Sequence, residues 1–193
     1  MSNRPQGYGA AAMAFHWITA ALVVVAFTLG PGGSETRVYS AATDFDRAWH
    51  ETLGLTVLGL TLARLAWKIF VPAPQLPPSP PWMHVASRVV QGLLYLLLLA
   101  VPLTAITGAW LEGHPLTLGV LGEVAPLLPK NHALGERIAE LHTWLGDAIL
   151  WLAGFHAAAA LFHHFVLRDE VLAAMLPASF QLKPKSRRGD NAR

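Results

Sequence analysis

The sequence predicts an all-α membrane protein, a four-helix transmembrane bundle with both termini cytoplasmic. Three observations carry this reading. The 193-residue chain is 53% hydrophobic and only 13% charged, where a soluble domain carries about 25% charged residues. It contains four apolar runs near or beyond the ~20 residues that a spanning helix needs. Its basic residues divide unevenly between the two sides that those runs would define. Lipid leaves backbone groups no water to bond, so the runs must be helices, and the alternation of a barrel strand is absent.

The first run, GAAAMAFHWITAALVVVAFTLG, covers about residues 9–30. It exceeds the roughly 7–15 apolar residues of a signal peptide, and PGGSETR after it has no clear small-x-small cleavage site, so it reads as an uncleaved helix. The second covers about 48–70, the third 86–111 and the fourth 138–167. Between the second and third, VPAPQLPPSPPW (71–82) reads as a stiff proline-rich spacer. Residues 112–137 form a long connection whose middle, PLTLGVLGEVAPLLP, is too apolar for a free loop and too broken by proline and glycine to span. It is expected to lie in the interface or to cap the bundle. No internal repeat is evident, and 1–193 reads as one transmembrane domain ending in a basic tail, 178–193.

With both termini inside, ten basic residues fall on the inner side: Arg4, Arg64, Lys68, Arg88, Arg168, Lys183, Lys185, Arg187, Arg188 and Arg193. The outer side holds four, Arg37, Arg47, Lys130 and Arg137. Such a bias orients the bundle. Trp49, Trp110 and Trp144 near outer helix ends, with Trp67 and Trp82 near inner ones, fit interfacial belts. The tail KPKSRR is therefore a topology signal and a contact for anionic lipid, not a nucleic-acid site. The chain has no cysteine, which excludes thiolate ligands, iron–sulfur clusters and covalently tethered c-type haem.

Nine histidines are unusual in such a chain, because a polar side chain within the membrane is costly and marks function by default. His142 and His156 lie fourteen residues apart in the fourth run. That is nearly four turns, so both point the same way, about 21 Å apart along the axis. The second and fourth helices enter from outside, which puts His50 at the depth of His142. The first enters from inside, which puts His16 at the depth of His156. Two imidazoles from facing helices are what a planar iron macrocycle needs to fill both axial positions, as in a bis-histidine haem b in a bundle core. Two such haems stacked across a membrane would form an electron path. The alternatives are a helix–helix hydrogen bond for each histidine, and zinc, which needs three or four converging ligands where each level offers two. His84, His114 and His132 read as surface residues. His163, two turns beyond His156, is a competing inner ligand, or with His164 contacts haem propionates or headgroups.

FHW (15–17), WHETLG (49–54), LHTWLG (141–146) and FHAAAALFHHFVLRDEVLAAMLP (155–177) resemble the bacterial cytochrome b561 family over essentially the whole chain. The resemblance implies a multi-pass dihaem b-type cytochrome of the bacterial inner membrane that exchanges electrons with ubiquinone. It also implies His16, His50, His142 and His156 as the haem iron ligands. Some members carry histidines early in the third helix, where this chain has SRVVQG with Arg88 and Gln91, so no such role transfers.

Haem propionates are anionic and reach toward the membrane faces. Arg64, Arg88 and Lys68 are the inner candidates to meet them, and Arg47 and Arg137 the outer ones, against plain snorkelling to headgroups. Asp147, an acid inside the fourth helix, is a candidate for the proton that quinone chemistry moves, or pairs with an arginine or a neighbouring helix. Glu51 beside His50 reads as a headgroup residue.

Three functions follow. The first is a quinone-linked electron-transfer cytochrome. The second, which the resemblance also implies, is an oxidoreductase passing electrons from periplasmic superoxide to ubiquinone. Against it, the outer side sets Glu35, Asp44, Asp46, Glu51, Glu112, Glu123, Glu136 and Glu140 against its four basic residues, a field that repels an anion unless a patch around Lys130, His132, Arg137 and Arg47 reverses it. The third is a haem-bearing membrane anchor for a soluble hydrogenase or dehydrogenase, left open because the chain has no soluble domain of its own.

Overall fold

The structure, a computed structural model, describes residues 8–71, 80–119 and 122–176. Most of the proline-rich spacer and the whole basic tail lie outside the described residues. The elements in chain order are α1 (Ala10–Leu29), a short α2 (Glu35–Val38), α3 (Asp44–Phe70), α4 (Pro81–Glu112), β1 (Leu116–Thr117), β2 (Glu123–Val124) and α5 (His132–Phe162). A π-helical turn, His163–Leu167, continues α5, and a 3-10 turn, Ala173–Met175, follows. Four helices are long and apolar enough to cross a membrane: Ala10–Leu29, Asp44–Phe70, Pro81–Glu112 and His132–Leu167.

Three of the four begin earlier than their apolar runs. Asp44 and Asp46 open α3, Pro81 occupies the first turn of α4, and Asn131 caps α5 by accepting the Leu134 N–H at 3.2 Å. Hydropathy marks only the lipid-facing stretch. Acids in a first turn, a first-turn proline and an asparagine cap extend a helix into the interface without apolar residues. The fourth span also ends differently from a plain α-helix: the last five residues widen into the π turn, and Arg168 closes it at φ 54°.

α1 packs against α3 and α4 against α5, giving two antiparallel pairs, with α3 touching α4 across the seam between them. Small residues set the closeness of the second pair. A Cβ on Gly135 would meet Glu112 Cγ at 2.7 Å and the Glu112 backbone N at 3.1 Å, and one on Gly108 would meet the Ala139 backbone N at 3.3 Å. Backbones approach closely only where side chains are missing. Large apolar side chains instead face outward, with Ile69 79% and Phe70 80% exposed, as a lipid-facing surface requires.

The α1–α3 connection, the hairpin and the start of α5 share one end, which the sequence reading puts outside and which is called outer below. The middle of the long connection does cap the bundle. It forms a two-stranded antiparallel hairpin with Leu116 opposite Val124, and Leu116 is buried. The Thr117 N–H donates to the Glu51 carboxylate at 2.7 Å. Glu51 is thus a tether for the hairpin, half-buried, rather than a headgroup residue. At the inner end the chain's described extremities meet. The Tyr8 N–H donates to the Ala174 carbonyl at 3.1 Å, and Trp17 Nε1 to the Met175 carbonyl at 2.8 Å.

Candidate functional site

The seam between the two helix pairs is where the histidines meet. His50 on α3 faces His142 on α5, with ring centres 5.9 Å apart and planes at 87°. His16 on α1 faces His156 on α5, with ring centres 6.3 Å apart and planes at 78°. A metal–imidazole nitrogen bond is about 2.0–2.1 Å, so two imidazoles on opposite sides of one metal hold their ring centres roughly 6 Å apart. Both separations suit ligation from opposite sides.

The outer pair is oriented from the backbone. α1 ends at Leu29, and the Gly30 N–H turns to the Phe27 carbonyl at 3.2 Å. This leaves the Ala26 carbonyl among the acceptors that a helix end cannot satisfy internally. His50 Nδ1 donates to it at 2.7 Å. Gly30 makes room, since a Cβ there would touch the His50 ring at 3.4 Å. On α5, His142 Nδ1 donates to the Val101 carbonyl at 2.8 Å, next to Pro102 in the interior of α4. A ring nitrogen committed to a carbonyl fixes the tautomer and leaves the Nε2 lone pair as the free donor to a metal. Both rings line a cavity of about 960 Å³, also lined by Asp147, Arg47, Tyr39 and Glu112. It is large enough for a cofactor.

The other expected residues are placed as follows. Arg47 lines this cavity, and its guanidinium is engaged by Asp44 and, at 2.9 Å, by Glu51. Its buried Nε has no hydrogen-bond partner among the described residues. Arg137 is exposed, as is Arg88, which borders a small inner hollow with Pro81, His84 and Val85. Arg64 and Lys68 lie over the Tyr95 ring, at 5.5 and 4.8 Å from its centre. Asp147 has no ion pair among the described residues. His163 Nδ1 pairs with Asp169, whose other oxygen accepts the Val171 N–H at 3.1 Å. That pairing follows from the π turn, and it is His156 that lies beside His16.

Two histidines read as surface residues belong to a cluster that the sequence did not reveal. His114 is half-buried, stacked on Tyr39 with ring centres 3.5 Å apart. Its Nε2 meets Glu35 at 2.7 Å, and exposed His132 meets the other Glu35 oxygen at 3.2 Å. The His114 hydrogen bond holds the Glu35 carboxyl below the usual carboxylate range, and burial pushes the Tyr39 phenol up. Positions 35, 112, 114 and 132 share no spacing from which their meeting could be read.

Comparison with known proteins accords with this architecture. The family described as prokaryotic cytochrome b561 matches residues 7–178. The chain is 29% identical over 179 residues to "Cytochrome b561 homolog 2" of Escherichia coli strain K12, covering 92% of this chain and 95% of that one. It is 28% identical over 173 residues to "Probable superoxide oxidase CybB" of Yersinia pestis, covering 88% and 96%. It is 31% identical over 182 residues to "Cytochrome b562" of Cereibacter sphaeroides, covering 91% and 98%. With four spanning-length helices and this match over most of its length, the chain belongs to the prokaryotic cytochrome b561 family of haem b electron-transfer cytochromes and is a multi-pass bacterial membrane protein.

Proposed function

We propose that this chain is a dihaem cytochrome of the inner membrane that carries electrons across the bilayer and exchanges them with the ubiquinone pool. The observation that supports this best is the presence of two facing histidine pairs, 5.9 and 6.3 Å between ring centres, at opposite ends of one stripe of α5. His50 and His142 hold the outer haem iron, His16 and His156 the inner one. Haem b supplies a reversible one-electron centre. The chain's part is to bind, orient and insulate it. Ala26 and Val101 carbonyls fix the outer imidazoles through Nδ1. Paired histidines would hold each haem and suit it to electron transfer rather than oxygen binding. Arg47 and Arg137 outside, and Arg64 and Arg88 inside, serve the propionates. Asp147, which lines the outer cavity, is the proposed proton site for quinone chemistry. The test is haem stoichiometry with a redox titration of the purified protein. Two haems per chain, extractable by acid acetone, and reduction by ubiquinol are expected. A ratio near one would end the dihaem reading.

A second reading has one specific support, the relative named as a superoxide oxidase at 28% identity over most of both chains. In it, two superoxide anions would each give up one electron and leave as oxygen, ubiquinone would take up those two electrons with two protons, and the histidine pairs would hold the haems that relay them. The outer charges oppose it. Arg47 is neutralised by Asp44 and Glu51, leaving Arg37, Lys130 and Arg137 to attract the anion.

A further inference from the structure

The cluster at the outer end has the composition of a metal site. Among the described residues, one donor atom each from Glu35, Glu112 and His114 lies within 4.8 Å of the others. His132 Nε2 stands 3.2 Å from Glu35 and brings a second imidazole to the same carboxylate. Glu112 is the informative member. It is only 6% exposed, yet among the described residues no hydrogen bond or ion pair reaches its carboxylate. This unpaired carboxylate is at the edge of the outer cavity and lies beside a second carboxylate, Glu35. Repulsion between two acids so placed is relieved by a cation between them. The two imidazoles offer nitrogen donors, which suit zinc-type ions over magnesium or calcium, whose ligands are oxygens. The Tyr39 ring stacked on His114 fixes one of the imidazoles.

We infer that Glu35, Glu112, His114 and His132 form a binding site for a divalent transition-metal ion, zinc in class, beside the cavity that His50 and His142 line and using neither histidine pair. The four come from the α1–α3 connection, the end of α4, the second residue past it and the start of α5. One ion would therefore clip the α1–α3 connection to the ends of α4 and α5, which are already joined by the Asn131 N–H donating to the Leu111 carbonyl at 2.8 Å. Two carboxylates and two imidazoles make a four-coordinate set of the kind that zinc accepts. Lys130, whose Nζ would lie 3.7 Å from a Cβ on Gly113, is exposed and free to swing away. The rival arrangement is a network of protonated histidines and Lys130 around the two acids, with no metal.

The full-length haem-loaded protein, purified in detergent and freed of metal by chelator, is titrated with Zn²⁺ against a chromophoric competitor. Co²⁺ serves as a spectroscopic probe of coordination. One equivalent of Zn²⁺ per chain is expected, with a tetrahedral Co²⁺ spectrum and a higher melting temperature on metal addition. Glu35→Gln and His114→Ala should each weaken Zn²⁺ about tenfold or more, on the scale of losses seen around metal sites, and abolish the thermal shift. His132→Ala alters an exposed ring, so it keeps the test decisive should either buried variant fail to fold, and it should weaken Zn²⁺ as well. The haem absorption spectrum of each variant reports folding. Substoichiometric Zn²⁺ in the wild type, an affinity unmoved in the folded variants, or Zn²⁺ uptake only with loss of haem would overturn the site.

Discussion

At the scale of single residues, the consequential feature is the division of labour between the two nitrogens of each outer histidine. Nδ1 is spent on a carbonyl: for His50 that of Ala26, which the end of α1 leaves available, and for His142 that of Val101 inside α4, which also accepts the Thr104 hydroxyl at 2.8 Å. Nε2 is left to act. If each pair holds one haem, its members form a unit, and units are non-additive when dismantled. His50→Ala and His142→Ala should each remove the same haem, and the double variant should lose little more than either alone. His16→Ala and His156→Ala should behave likewise for the other haem, while His50→Ala with His156→Ala should lose both. Haem content and redox titration of the seven variants decide this. Loss of one haem by the His50 and His156 variants alike would refute the pairing by depth. His163→Ala should retain both haems, because its ring is tied to Asp169.

At the scale of elements, two contacts define how the bundle closes. The α4–α5 pair is tight because Gly108 and Gly135 lack side chains. A methyl on Gly135 would press within 2.7 Å of Glu112 Cγ and 3.3 Å of the Gly108 carbonyl, so Gly135→Ala should destabilise the protein by about 1–3 kcal/mol, the usual cost of overpacking. A lowered melting temperature in detergent is the readout, and a Gly92→Ala control, where nothing lies within 4 Å, should melt no lower than the wild type. The hairpin is held by Glu51, which accepts from the Thr117 N–H at 2.7 Å and from Arg47 at 2.9 Å. Hydrogen bonds to a charged group contribute about 1.5–3 kcal/mol. Glu51→Ala should therefore speed hydrogen exchange at 116–117 while leaving the middle of α3 protected. Equal exchange in both proteins would mean that the apolar seat of Leu116 holds the hairpin by itself.

At the scale of the whole molecule, charge sets both orientation and choice of partner. The ten-to-four distribution of basic residues predicts that a reporter fused after Arg193 senses the cytoplasm and one inserted near Glu123 senses the outside. Opposite reports would exchange every inner and outer assignment. Superoxide as donor demands that Lys130 and Arg137 outweigh the surrounding acids. In that case Lys130→Glu with Arg137→Glu should slow the second-order rate, and added salt should shift the wild-type rate. A rate indifferent to both places the electron source elsewhere, with a soluble redox protein the remaining choice.

Hydropathy is a one-dimensional property, and it determined the class, the number of spans and the depth of each histidine. Residues 10–29, for example, carry no Asp, Glu, Lys or Arg and are mostly apolar, and no tertiary partner is needed to know that they form a membrane helix. The 3.6-residue period added that His142 and His156 share a stripe. Helix ends were legible less well, because Asp44, Pro81 and Asn131 start their helices by capping chemistry outside the apolar runs. The rotation of each helix about its axis and the path of the outer connections are set by packing, which no local pattern encodes. Only the tertiary structure could therefore show which carbonyls orient His50 and His142, or that Glu51 tethers a hairpin sixty-six residues away. The same reason hid the meeting of Glu35, Glu112, His114 and His132. Their encounter depends on where three segments leave the membrane, and a sequence records how deep a residue lies but not which neighbour it faces.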